Sequence, residues 1–214
     1  MSQVVMPLRT SDTGRDALNY MYIFHVRHLP IVNNEQLLGI ISEDEIMAND
    51  VDEPIGAYGL SLGRAYVKED DHLYDVMKMS ADYQLTVVPV VDESDTYKGL
   101  VTQDDLVRYF GNIGAFTEPG SVIVLEMGKM DYSLAEISRI IESEGAAILS
   151  TFITSPNNST RMDVTIKVNK QDIRHIVATL ERFDYNIKAS FQEREYIDDT
   201  LRERYESLMN YLSV

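Results

Sequence analysis

Apolar positions fall first at helical spacing, with Ala17, Leu18, Met21 and Tyr22 on one face and Ser11 or Asp12 placed to cap the first turn. "HLPIV" (28–32) and "LLGIIS" (37–42) are nearly pure aliphatic and predict strands about the polar turn "NNEQ". A short helix over "EDEIMAND" closes this block. The same order then returns. A helix capped by Asp70 or Asp71 turns Leu73, Val76 and Met77 inward, and "LTVVPVV" (85–91) and "KGLVT" (98–102) flank the turn "DESDTY". A helix carrying Leu106, Val107 and Phe110 ends it. Pro30 is answered by Pro89, Gly39 by Gly99 and Ser42 by Thr102, so the chain holds a repeat with matched punctuation. Aliphatic strands of this kind are covered on both faces. One such unit buries too little to stand alone, so the two copies are expected to pack together.

The acidic, Gly-containing stretch 49–63 reads as a connector, and "GNIGAFTEPGS" (111–121) as a second boundary. Beyond it come a strand "SVIVLEM" and a helix turning Leu134, Ile137, Ile140 and Ile141 inward. Two strands about the turn "SPNNST" follow, then a helix with Ile173, Ile176, Val177 and Leu180 inside, and an alternating strand "YNIKASFQE". The order βαββαβ is the ferredoxin-like split arrangement. In the tail, Ile197, Leu201, Tyr205, Leu208 and Leu212 form a helical stripe that its own chain or a partner must cover.

Composition narrows the function classes. With 19 basic and 35 acidic residues among 214, the net charge is −16. That balance opposes binding to a nucleic-acid backbone and docking on an anionic membrane. Cysteine is absent, which removes disulfides and thiolate chemistry. Neither a secretory signal nor an 18-residue apolar run is visible, so a soluble cytoplasmic protein is expected. His25, His28, His72 and His175 lack metal-ligand spacing. The acidic clusters lack the pattern of a calcium loop, and no phosphate loop or nucleophile elbow is present. No nucleophile, base and electrophile assemble, so an enzyme is not expected.

The repeated phrase "LGIISEDEI" and "KGLVTQDDL" carries the candidate chemistry. A hydroxyl followed three residues later by an acid caps a helix: Ser42 with Glu45 fits well, and Thr102 with the shorter Asp105 less well. The same geometry offers amides and a positive dipole end to an anion, and a short acid to a ribose diol. Gly39 and Gly99 let a flat ring approach the backbone. Spacing alone leaves both readings open.

These residues, with the "LPIV" and "VPVV" strands, resemble paired CBS domains (a Bateman module) over residues 4–110. Residues 121–192 resemble an ACT domain, and the whole is similar to the acetoin-utilisation, AcuB-type, CBS–ACT proteins. The resemblance implies an α+β fold: two packed CBS repeats of α-β-β-α type, a ferredoxin-like βαββαβ ACT-type domain and a C-terminal amphipathic helix. The implied boundaries are repeat 1 at 1–50, connector 51–63, repeat 2 at 64–113, ACT-like domain 120–192 and helix 193–214. It further implies adenosine-type ligands in the clefts, such as AMP, ATP or S-adenosylmethionine, as effectors rather than required cofactors. Carried onto this chain, Thr102 and Asp105 match in full; Ser42 matches but Glu45 replaces the aspartate. Gly99, Val88 and Pro89, with Val67 and Lys68 of "AYVKED", would line the adenine.

Asp104 and Asp105 repel a polyphosphate, with Arg108 and Arg64 the nearest cations by sequence, so few phosphates or a neutral adenosine derivative are favoured. In the ACT-like block Ser133 stands where a glycine is common, which favours oligomerisation over amino-acid binding. Asp131 and Ser133 remain candidates to cap the helix and touch a ligand. The expected role is a homodimeric sensor acting on an unidentified regulated protein. The alternatives are a ligand-free dimeric scaffold or, on the family label alone, an accessory enzyme of acetoin metabolism.

Overall fold

The computed structural model describes residues 5–59, 63 and 65–192. The chain divides into two compact units, Met1–Gly111 and Asn112–Val214. Arg64, part of the connector and the expected C-terminal helix with its Ile197-to-Leu212 stripe lie outside the described residues.

In the first unit, α1 (Gly14–Phe24), β1 (His28–Asn33), β2 (Gln36–Ser42) and α2 (Glu43–Met47) form the first repeat. After a 3-10 turn at Ile55–Ala57 and the short β3 (Val67–Lys68), the second repeat comprises α3 (Leu73–Asp82), β4 (Val87–Val91), β5 (Tyr97–Thr102) and α4 (Gln103–Gly111). β1 and β2 make an antiparallel hairpin, while β3 pairs in parallel with β4, which pairs antiparallel with β5. Pro30 and Pro89 occupy equivalent places, opposite Ile40 and Leu100. One apolar cluster joins Leu29, Ile31 and Ile41 of the first repeat to Val76, Val87 and Val88 of the second. Shared burial is what two half-sized units need.

Helix starts depart from expectation. Thr13, not Ser11 or Asp12, caps α1, in a box with Asp16, and His72, not Asp70 or Asp71, caps α3 through its ring. Asp12 instead accepts from the Arg9 amide, and Asp71 from the Lys68 amide, so both hold the preceding turn. Several apolar residues placed on a helix's inner face are exposed: Tyr22, Met77 and Leu134. The apolar arc predicted for each helix was wider than the strip its neighbours cover, because these are short helices at a surface.

In the second unit, α5 (Gly114–Thr117) occupies part of the predicted boundary loop. β6 (Ser121–Gly128), α6 (Leu134–Ser143), β7 (Ile148–Thr154), β8 (Arg161–Val168), α7 (Arg174–Arg182) and β9 (Asn186–Phe191) follow. The sheet runs β7-β8-β6-β9, all neighbours antiparallel. β6 alternates buried and half-buried residues along its whole length, and β8 does so after the exposed Arg161. Their buried set, Ile123, Leu125, Val164 and Ile166, meets Ile137, Ile140, Ile141, Ile176 and Leu180 of the two helices. Gly120 lies where a Cβ would collide with the Val168 carbonyl, which fixes that residue type at the entry to β6.

Candidate functional site

The β2–α2 and β5–α4 junctions of the first unit are each closed by a hydroxyl and an acid. The Ser42 amide and hydroxyl both donate to Glu45 Oε2, at 2.8 and 2.6 Å, and the Glu45 amide donates back to Ser42 Oγ at 3.2 Å. At the second junction the Thr102 amide and hydroxyl donate to Asp105 Oδ2 at 3.1 and 2.7 Å, and the Asp105 amide donates to Thr102 Oγ1 at 3.0 Å. The shorter acid therefore closes the box after all, with one bond a little longer. Thr13 and Asp16 build the same device at the start of α1. A box of this kind is thus not by itself a sign of a ligand.

Space as well as hydrogen bonding shapes the second junction. A cavity of about 310 Å³ opens beside it, lined by Thr102, Gln103, Asp104, Asp105 and Arg108 of the second repeat. Phe24, His25 and Val26, at the end of α1, close it from the first repeat, with Val5 and Thr86 completing the wall. His25 sits in the left-handed region (φ 53°), where its amide ends α1 by donating to the Met21 and Tyr22 carbonyls. The cavity exists because the α1 turn and the α4 start, each fixed by its own cap, are held apart across the seam between repeats.

Charge inside the cavity is mixed. Asp105 Oδ2 is spent on the cap, and Oδ1 faces Arg108 Nη1 at 3.6 Å. The side chains of Arg108 and Asp105 are 60% and 38% exposed, so water screens this pair and it adds little to stability. Two amides of the first turn are already engaged: Gln103 N donates to the Thr86 carbonyl at 3.1 Å, and Asp105 N to Thr102. The anion-binding capacity of the helix start is correspondingly reduced.

Of the ten residues singled out from sequence in this unit, the cavity brings together Thr102, Asp105 and Arg108. Ser42 and Glu45 meet each other at the first junction but do not line it. Val88 and Pro89 are buried inside β4, Val67 is buried in β3 and Lys68 is exposed beside it. Gly99 pairs with Val90 in β5, with open space where its side chain would be. These five stand outside the cavity wall. Phe24, His25, Val26, Thr86, Gln103 and Val5 were missed. The repeat points to Thr86, which stands three residues before Pro89 as Arg27 does before Pro30, but only packing brings α1 across to α4.

In the second unit Ser133 caps α6, accepting from the Glu136 amide at 3.3 Å. Asp131 lines a separate cavity of about 370 Å³ with Glu126, Glu136, Arg161, Tyr185 and Asn186; Ser133 is not in its wall. Arg161 and Asn186 both reach Glu126 Oε2, at 2.9 and 3.1 Å.

The CBS domain model matches this chain twice, at residues 1–52 and 64–112. The chain carries a pair of CBS domains. Outside that match stands the second unit. Among curated proteins, the magnesium transporter MgtE of Thermus thermophilus is 26% identical over 107 residues, which is 50% of this chain and 22% of the transporter. An uncharacterised protein of Methanocaldococcus jannaschii is 23% identical over 109 residues, 50% of this chain and 41% of that protein. The chain thus spans less than half the length of either relative. Among solved structures, a CBS domain pair/ACT domain protein from Thermotoga maritima is 21% identical with a TM-score of 0.45, covering 51% of this chain and 90% of that one. The CBS domain pair of protein MJ0100, solved with 5′-methylthioadenosine and S-adenosyl-L-methionine, is 26% identical with a TM-score of 0.41, covering 50% and 93%. Among the described residues no helix is long and apolar enough to cross a membrane.

Proposed function

We propose that the CBS pair is a regulatory sensor for an adenosine-containing ligand, bound in the cavity beside Thr102 and Asp105. The observation that carries this is the open cavity at the Thr102–Asp105 junction, with both repeats in its wall. A compound seated there touches α1 and α4 together, so its binding energy differs between arrangements of the two repeats. That difference is what a sensor needs. Asp105 Oδ1 is the acceptor for a ribose hydroxyl, in exchange for its screened contact with Arg108. Asp104 and Asp105 beside a single arginine favour one phosphate or none, hence AMP or a neutral or cationic adenosine over ATP. The regulatory role leaves the pair without a reaction of its own, in a soluble cytoplasmic setting.

For the second unit we propose an ACT-type role in self-association. β7 lies at an edge of the sheet with Phe152 and Ile153 each nearly half exposed. It falls in a run, residues 145–160, that carries no Asp, Glu, Lys or Arg. Natural edge strands are usually guarded by charge or proline. In a chain of net charge −16, an unguarded neutral strand is where a second copy meets least repulsion.

Calorimetry with AMP, ATP and S-adenosylmethionine tests the sensor. AMP or S-adenosylmethionine is expected to bind at least tenfold more tightly than ATP. Asp105→Ala is expected to lower that affinity about tenfold or more, the scale of one charged hydrogen bond. Binding untouched by Asp105→Ala removes the assignment. The rival scaffold predicts no thermal shift with any adenine compound. Under it, Thr102→Ala costs only the cap, about 1 kcal/mol.

A further inference from the structure

Thr86 is held from across the repeat boundary. Its amide donates to His28 Nδ1 at 3.3 Å, and its hydroxyl lies 3.1 Å from the same nitrogen. The Arg27 amide donates to Thr86 Oγ1 at 2.9 Å. Thr86 in turn fixes the start of α4, its carbonyl accepting from Gln103 N, and it forms part of the cavity wall. A chain of hydrogen bonds therefore runs from the His28 ring of the first repeat, through Thr86, to the helix start beside Asp105.

We propose that His28 is a positioning residue for the cavity of the second repeat, and that protonation of its ring releases Thr86 and weakens ligand binding there. This rests on the sensor reading above and names a regulation of the same site. Nδ1 accepts from the Thr86 amide only when it carries no proton, so the neutral ring with hydrogen on Nε2 is the form that holds the wall. A proton on Nδ1 still suits the Thr86 hydroxyl, which turns from donor to acceptor. It leaves the Thr86 amide facing a donor, with no partner in a half-buried seam.

The groups around the ring set where this happens. Burial pushes the His28 pKa below its ordinary 6.5, and Arg27, next in the chain, pushes the same way. Glu45 and Asp44 on α2 oppose them. Arg27 is itself tied to Glu43 and Asp44, at 3.4 and 3.8 Å, so its charge is partly offset. From the second repeat only the neutral Thr86 bonds to the ring among the described residues. A depressed histidine pKa means that the neutral form prevails at pH 6.5 and is lost as the pH falls through the lowered value.

The deciding measurement is an NMR titration of the ligand-free full chain, following the His28 ring and the Thr86 amide from pH 8 to 5. The ring is expected to titrate below 6.5 in the Nε2–H form, with the Thr86 amide moving at the same midpoint. A Thr86 amide that ignores the His28 midpoint, or a ring in the Nδ1–H form, overturns the proposal. AMP titrated by calorimetry at pH 7.5 and 5.5 extends it to binding. A loss of affinity at the lower pH, under about tenfold because the ring's pKa lies below 6.5, is expected in the native chain. Little change is expected in His28→Asn, whose carboxamide oxygen accepts near the place of Nδ1 without titrating. An equal loss in both proteins overturns the proton linkage to His28. Failure of AMP to bind at either pH instead removes the sensor reading, while the Thr86 titration still decides whether His28 positions the wall.

Discussion

Single side chains in this protein mostly serve the turns that start and stop elements. Asp92 shows how far that goes. Its carboxylate pairs with Lys98 Nζ at 2.9 Å and accepts from the amides of Ser94 and Thr96 at 2.8 and 2.9 Å, closing the β4–β5 turn. The Lys98 bond first, then the backbone donors, hold its pKa down to about 2. A depressed carboxylate stabilises the fold above its unfolded value near 3.9 and loses that contribution as the pH falls towards 2. Asp92→Asn is therefore expected to flatten the fall in melting temperature between pH 4 and 2. An unchanged acid limb in the variant would show the turn to be held by other groups. The caps belong to the same scale. Three hydroxyl–acid boxes, at Thr13, Ser42 and Thr102, were built alike, so the side chains of the box cannot report which junction has a cavity.

Elements follow the sequence where burial is one-sided and complete. β6 and β8 alternate without a break, and α6 and α7 place their isoleucines on the covered face, so these were legible. β7 was legible as a strand but not as an edge, because edge position depends on which strands pair. Its neutral exposed rim gives a prediction at this scale. Thr151→Lys puts a charge at the middle of β7, and a two-fold antiparallel pairing would set two such charges close together. Sedimentation is expected to show a dimer for the native chain and a shift of at least tenfold towards monomer in the variant. A dimer unaffected by the lysine would place self-association elsewhere. Outward residues such as Tyr22 and Met77 were misassigned for a related reason: apolar spacing marks a possible contact strip, and only packing decides how much of it is used.

The described residues hold two cores, one shared by both repeats and one within the second unit. Residues 112–214 alone are therefore expected to melt cooperatively. Residues 1–52, a single repeat, are expected not to, because Leu29, Ile31 and Ile41 lose the partners that bury them. Circular dichroism melts of the two fragments check both outcomes. Cooperative melting of the single repeat would break the claim that the two copies share one core.

By itself the sequence determined the repeat, the order of the longer elements in both halves though not β3 or α5, and the pair Thr102 and Asp105. Each is written locally, in spacing of apolar residues, in prolines and glycines at matched places, and in an acid three residues after a hydroxyl. Tertiary structure decided which junction opens onto a cavity, that Phe24 and His25 stand in its wall, and that His28 reaches Thr86. Those partners are 58 positions or more apart in the chain, as His28 and Thr86 are, and their meeting depends on how two packed repeats leave space. A local pattern fixes where a side chain points along its own element. It carries no information about the volume left between that element and another.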